Sequence, residues 1–307
     1  MNRPSPVPSS HRSGGGIRWF PIGCILLQNT LYGFGDPISK AAYEILPVYS
    51  LLSVRYLIAL AFLLLVFGRR ILRGLRACGW RDWILPSLCM GGAYVAGNIA
   101  LEMTAATSVA FLRSLSTVMT PLLALLLFRR RIGLRHVPVL LLSVAGLYLL
   151  CGHGGLSRFG GGELFALLTA LLLAGSLIFG ERALDRVDPL TLTALQTAAS
   201  AAMAVVCSLV FEGGWRLEAA RPVHWAIIVY LALFCTVAGY LLQNAALRTL
   251  SSRTVALLQC VCPVMTALFS RLLLGETLSP AGILGALILL GCAAAETLMP
   301  EGEEAAG

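Results

Sequence analysis

Of the 307 residues, 58% are hydrophobic and 12% charged, with a formal net charge of +8. A soluble globular domain carries roughly 25% charged residues, so a soluble enzyme is a poor fit. A soluble nucleic-acid binder fits no better, because the basic residues sit in short loops beside apolar runs rather than on an aromatic-interleaved face. The opening MNRPSPVPSSHRSGGG is rich in Pro, Ser and Gly, and residues 1–17 are expected to be a disordered N-terminus. Charge clusters then separate ten apolar stretches of about 20 residues, the length that crosses a hydrocarbon core of roughly 30 Å. They cover 18–38, 47–68, 83–103, 107–128, 136–153, 162–181, 189–211, 223–247, 253–274 and 279–299. The first follows the basic segment directly, is of spanning length and shows no small-residue cleavage pattern, so it reads as an uncleaved helix.

Alternate loops differ sharply in arginine. One side collects Arg3, Arg12 and Arg18, the group from Arg69 to Arg81, the group from Arg129 to Arg135, and Arg182, Arg186, Arg248 and Arg253. The other side holds Lys40, Arg158, Arg216, Arg221 and Arg271. The positive-inside rule places both termini in the cytoplasm and the chain in the cytoplasmic membrane as a multi-pass protein. The nine cysteines show no paired loop spacing. Cys260 and Cys262 point to different faces of a helix, so no metal site is expected there, and no cofactor is implied.

The chain is duplicated. YVAGNIAL from Tyr94 and YLLQNAAL from Tyr240 share Y-x-x-x-N-x-A-L, and at the same offset VAFLRSLSTVMTPLL from Val109 lies on VALLQCVCPVMTALF from Val255. Gly33 meets Gly175 and Pro47 meets Pro189 at a slightly shorter offset. Each copy holds five spans, and an odd number of crossings reverses the second copy. The expected fold is an all-α membrane protein of ten transmembrane helices in two inverted five-helix repeats, a recurring plan of secondary transporters. The expected boundaries are 18–153 and 162–299 for the repeats, a Gly-rich outer loop at 154–161 and an acidic tail at 300–307.

Ten spans in two five-span halves, the Y-x-x-x-N-x-A-L helix, the V-M-T helix ending in LLLGETLS and the closing glycine-bearing helices resemble the EamA branch of the drug/metabolite transporter superfamily. The resemblance covers 18–299. It implies a multipass carrier, with export as the expected direction, for a small metabolite such as an amino acid. Proton coupling, uniport and exchange stay open, and the oligomeric state is not readable.

In-span polar residues usually face a bundle interior. Arg113, Ser116, Thr117 and Thr120 fall at i, i+3, i+4 and i+7, and Gln259, Cys262, Pro263 and Thr266 repeat the stripe in the second copy. Tyr94 with Asn98, and Thr236, Tyr240, Gln243 and Asn244, add two more faces, while Gln28 and Asn29 lie near mid-membrane in the first span. A shared cavity with Arg113, Thr117, Tyr94, Asn98, Tyr240, Asn244, Gln259, Gln28 and Asn29 as substrate contacts is one reading. Hydrogen bonds between packed helices are the other. Arg55 is expected to pair with Asp36 and lock the first two spans. Arg113 either contacts a carboxylate-bearing substrate or gates, or it pairs with Glu102. Gly33 to Pro37 is expected to loosen the end of the first span as a hinge.

Three rivals remain. A membrane enzyme lacks clustered catalytic groups, since His11, His136, His153 and His224 are dispersed and ERALDRVD reads as a solvated loop. A binding or sensing protein without flux has no soluble domain to carry a signal. A nucleotide-sugar or phosphate-ester antiporter of the same superfamily would want more buried cations than Arg55 and Arg113.

Overall fold

The computed structural model describes residues 19–103, 106–129, 136–151, 160–274 and 279–298. The expected N-terminal segment 1–17, most of the glycine-rich loop, the tail 300–307 and the side chain of Glu102 lie outside the described residues. Among the described residues all regular structure is helical. In order run α1 (Trp19–Tyr43), α2 (Val48–Ala77), α3 (Trp80–Met103), α4 (Ala106–Ser114), α5 (Ser116–Phe128), α6 (Val137–Cys151), α7 (Gly161–Ala183) and α8 (Pro189–Phe211). Then come α9 (Pro222–Tyr230), a π-helical segment (Leu231–Ala238), α10 (Gly239–Leu247), α11 (Ser252–Leu258), a 3₁₀ turn (Gln259–Val261), α12 (Cys262–Leu274) and α13 (Pro280–Leu298). Because α4 and α5, α9 to α10, and α11 to α12 each follow one another directly, they trace ten rods. Seven of the described helices are long and apolar enough to cross a membrane, and Val137–Leu150 is a shorter apolar helix. The α1 and α3 rods are 25 and 24 residues long.

Local chemistry sets the ends. Asp188 caps α8, its Oδ1 accepting from Leu190 N at 3.1 Å and Thr191 N at 3.3 Å, with Pro189 at the first helical position. Arg129, at φ 53°, closes α5 in the left-handed conformation. The α2 start is held from a distance: the Glu212 carboxylate, just past α8, accepts Tyr49 N at 2.8 Å, Ser50 N at 2.6 Å and Ser50 Oγ at 2.5 Å. A negative charge on the unpaired N–H groups of a helix start is the stabilising arrangement.

Packing follows the duplication. Helix α1 lies against α10 and α12, and its counterpart α7 lies against α3 and α5. The counterparts α2 and α8 pack on each other, as do α6 and α13. Helix α3 also packs on α8, and the π segment, in the equivalent rod, packs on α2. The lipid-facing surface is apolar, with Leu65 at 86% and Leu126 at 76% exposure, while polar side chains such as Gln28, Ser50, Thr120, Thr193 and Asn244 are enclosed. Close approach is set by glycine. A Cβ on Gly285 would lie 2.5 Å from Gly146 O and 2.6 Å from Leu150 N, so α6 and α13 meet backbone to backbone.

Two expectations fail here. The Gly33–Pro37 stretch is no hinge: α1 continues through Pro37 to Tyr43. A Cβ on Gly33 would collide with Met265 Cβ and lie 2.8 Å from Thr266 N, and one on Gly35 would lie 2.6 Å from Cys235 Sγ, so both glycines admit neighbouring rods. The ERALDRVD stretch is not uniformly solvated either. Glu181 is buried and accepts Ser252 N at 3.0 Å, tying the end of α7 to the start of α11. Near it Glu296, inside α13, takes Thr254 Oγ1 at 2.9 Å and His136 Nδ1 at 3.1 Å.

Candidate functional site

The α4/α5 rod breaks at Leu115, and the α11/α12 rod breaks at Gln259–Val261. In the alignment that sets Val109 on Val255, these are the same place in the two copies. A break frees backbone carbonyls, which need donors inside a membrane. Asn29 Nδ2 donates to Leu258 O at 2.8 Å, and Thr117 Oγ1 donates to Ala256 O at 3.1 Å and lies 2.9 Å from Cys260 Sγ. Asn29 and Thr117 therefore serve the broken rod.

Beside the break, three glutamines from three rods converge. Gln243 Oε1 accepts Gln28 Nε2 at 3.0 Å and Gln259 Nε2 at 2.9 Å, while Gln28 Oε1 lies 3.3 Å from Gln259 Nε2. Tyr32, one helical turn past Gln28, sits beside Gln28 and Tyr94. The Tyr94 ring lies 5.8 Å from that of Tyr56 and 5.9 Å from that of Tyr240, and the Tyr56 and Tyr240 hydroxyls are 3.2 Å apart. Through Tyr32 the amide trio of Gln28, Gln243 and Gln259 thus adjoins the tyrosines Tyr94, Tyr56 and Tyr240.

Gln243 is the hub of the amide trio. Gln243→Leu strips Gln28 Nε2 of its acceptor and is expected to lower stability by about 2–3 kcal/mol, the range for an orphaned buried group. Gln28→Leu leaves the Gln259–Gln243 bond intact and should cost about 1 kcal/mol. Unfolding of the purified protein in graded denaturant tests the order, and equal losses would refute the hub.

Two cations flank this cluster. Arg113 Nη2 lies 3.3 Å from Asp36 Oδ2, which also accepts Thr266 Oγ1 at 3.0 Å, so α4, α1 and α12 are joined. The expected Asp36–Arg55 pair is therefore not formed: α1 docks on α12 through Gly33, which carries Asp36 to Thr266 and Arg113. Arg55 instead donates Nε to Thr236 Oγ1 at 2.9 Å and lies over the Tyr56 ring at 5.4 Å. Thr236 in turn donates to Leu231 O, five residues back in the π segment, at 3.1 Å. Such π stretches occur often at functional sites.

Asn98 and Asn244 sit apart from the cluster. Asn98 donates to its own helix at Tyr94 O, 2.7 Å away. Asn244 Nδ2 bonds Thr193 Oγ1 at 3.0 Å and Gln196 Oε1 at 2.8 Å, a tie between α10 and α8. The residues missed from sequence are Tyr32 and Tyr56. A signal existed for the first, because Gln28, Tyr32 and Asp36 recur at i+4 on one helix face.

A bundle of apolar rods, broken twice at equivalent points around a polar centre, defines a multi-pass membrane protein of the transporter type. The model of the EamA-like transporter family matches twice, over residues 19–152 and 160–295, and the chain belongs to that family. It is similar to an uncharacterized transporter of Archaeoglobus fulgidus, 25% identical over 87% of this chain and 82% of the relative. It is also similar to solute carrier family 35 member E4 of Rattus norvegicus, 28% identical over 85% and 71% of the two chains. A riboflavin transporter of Fusobacterium nucleatum is 22% identical over 87% and 93%. A solved crystal structure superposes with a TM-score of 0.75 over 93% of this chain and 98% of its own, at 21% identity, which establishes the shared fold.

Proposed function

We propose that the protein is a secondary transporter, not an enzyme, that moves a small organic metabolite across the cytoplasmic membrane by alternating access, with export as its direction. The paired interruption of the two equivalent rods carries this reading. Discontinuous helices at matching points of two repeats mark the central site of many carriers. The two-fold pattern of helix contacts and the odd number of rods per copy support inverted halves, which can open the same site to either side. The arginine-rich loops support cytoplasmic termini. The Asp36–Arg113–Thr266 junction serves as a gate on the opposite side of the amide trio. The name of the riboflavin-transporting relative supports an organic solute, and nothing in it fixes which one.

The test is a comparison of small molecules inside and outside cells with and without the protein. Depletion of at least one metabolite inside and its gain outside is expected, and no difference in any solute would overturn transport. In proteoliposomes, flux indifferent to an imposed pH gradient would exclude proton coupling.

A further inference from the structure

Arg55 is 6% exposed and sits in α2, about 10 Å from its start at 1.5 Å per residue. Among the described residues its partners are the neutral Thr236 hydroxyl, met by Nε, and the face of Tyr56. Neither supplies a negative charge. Asp36, the carboxylate expected to pair with it, is taken by Arg113 and Thr266. Yet, among the described residues, the terminal nitrogens of Arg55 do not belong to the fully enclosed atoms left without a partner. The guanidinium fork is therefore not fully enclosed, and Tyr43, Tyr94 and Cys235 lie near enough to act on its charge.

A buried cation without a counter-ion is costly, and more so at membrane depth. A guanidinium held by Nε presents its two terminal nitrogens as a planar pair of donors, the geometry that matches a carboxylate. We infer that Arg55 is the anchor for the carboxylate of a monoanionic organic substrate, seated among Tyr43, Tyr56 and Tyr94. This deepens the transporter reading and rests on it. The arrangement assigns the recognition role to Arg55 rather than Arg113, whose charge is already met by Asp36. It also sets a charge limit. One free guanidinium balances one negative charge, so a phosphate ester carrying two would bury an uncompensated charge and is rejected. Tyrosine walls offer ring faces to an apolar body and hydroxyls to its polar groups.

The probes are benzoate, its neutral isostere benzamide, and phenyl phosphate, added at millimolar concentration to the purified full-length protein in detergent. Benzoate is expected to raise the unfolding temperature of the wild type by about 2–4 °C, as ligand in modest excess over its dissociation constant does. Benzamide and phenyl phosphate should raise it by less than a third as much. Arg55→Gln is expected to lose the benzoate response, whereas Arg55→Lys, which keeps the charge without the fork, should retain part of it. Should Arg55→Gln fail to fold, the wild-type discrimination between benzoate and benzamide and the partial response of Arg55→Lys still decide. An equal benzoate shift in Arg55→Gln, or no benzoate shift in the wild type, would overturn the assignment. Those results leave the transporter reading to the metabolite comparison: export of a neutral or cationic solute with benzoate silent removes the carboxylate anchor alone, and no exported solute removes transport itself.

Discussion

Gly285→Val is expected to destabilise the fold by about 3 kcal/mol, at the upper end of overpacking penalties, because the added carbons meet backbone rather than flexible side-chain ends. The Gly146 carbonyl and the Leu150 amide would stand 2.5 and 2.6 Å from the first of them, with Leu149 Cβ at 3.0 Å. Helix α6 would have to withdraw along the contact that joins the last rods of the two copies. Gly33→Val is expected to act similarly at the α1–α12 contact, where Met265 C would lie 2.7 Å from the new Cβ. Here the loss reaches function as well, since withdrawing α1 from α12 parts Asp36 from Thr266. Gly23→Ala and Gly291→Ala supply the controls. Neither position has an atom within 4 Å of an added Cβ, and helix propensity alone favours alanine by up to about 1 kcal/mol. Unfolding in graded SDS measures all four. A Gly285→Val protein as stable as Gly291→Ala would refute the backbone contact.

The rods were legible in sequence because the bilayer dictates both their length and their apolar content. The span expected at 189–211 is α8, Pro189–Phe211, and that at 253–274 lies on α11 and α12, Ser252–Leu274. Helical spacing also put Tyr94, Tyr240 and Gln259 on a common centre. Partner choice was not legible. Asp36 sits at a depth that suits Arg55 or Arg113 equally, and only the docking of α1 on α12 through Gly33 decides between them. Nor could spacing separate a cavity amide from a packing amide. Asn29 is polar because a different rod, α11, ends at Leu258 and leaves a carbonyl to be met. The local sequence around Asn29 holds no trace of that break. Glu181 and Glu296 escaped for a related reason: acids near a span end look solvated until the neighbouring helix start they serve is known.

The second large effect is expected at the Asp36–Arg113 pair, on flux more than on stability. Both side chains keep about a third of their surface, at 36% and 35%, so water screens the pair and its net contribution is about 1 kcal/mol or less. Removing one charge is worse than removing the pair. Asp36→Asn leaves Arg113 without an anion inside the membrane, where a lone arginine costs at least about 2.5 kcal/mol at the centre, and part of that loss should appear in unfolding. Arg113→Gln leaves Asp36, among the described residues, with the Thr266 hydroxyl. The double variant Asp36→Asn/Arg113→Gln carries no lone charge and should recover most of the lost stability. Flux then separates a static staple from a gate. A staple would return transport together with stability. A pair that must open and re-form in each cycle would not, because an amide pair holds the closed state more weakly than the ion pair with its Thr266 bond. The expected result is a stable double variant whose flux stays about tenfold below wild type, equivalent to roughly 1.4 kcal/mol in the rate-limiting step. Wild-type flux from that variant in proteoliposomes would reduce Asp36 and Arg113 to helix packing.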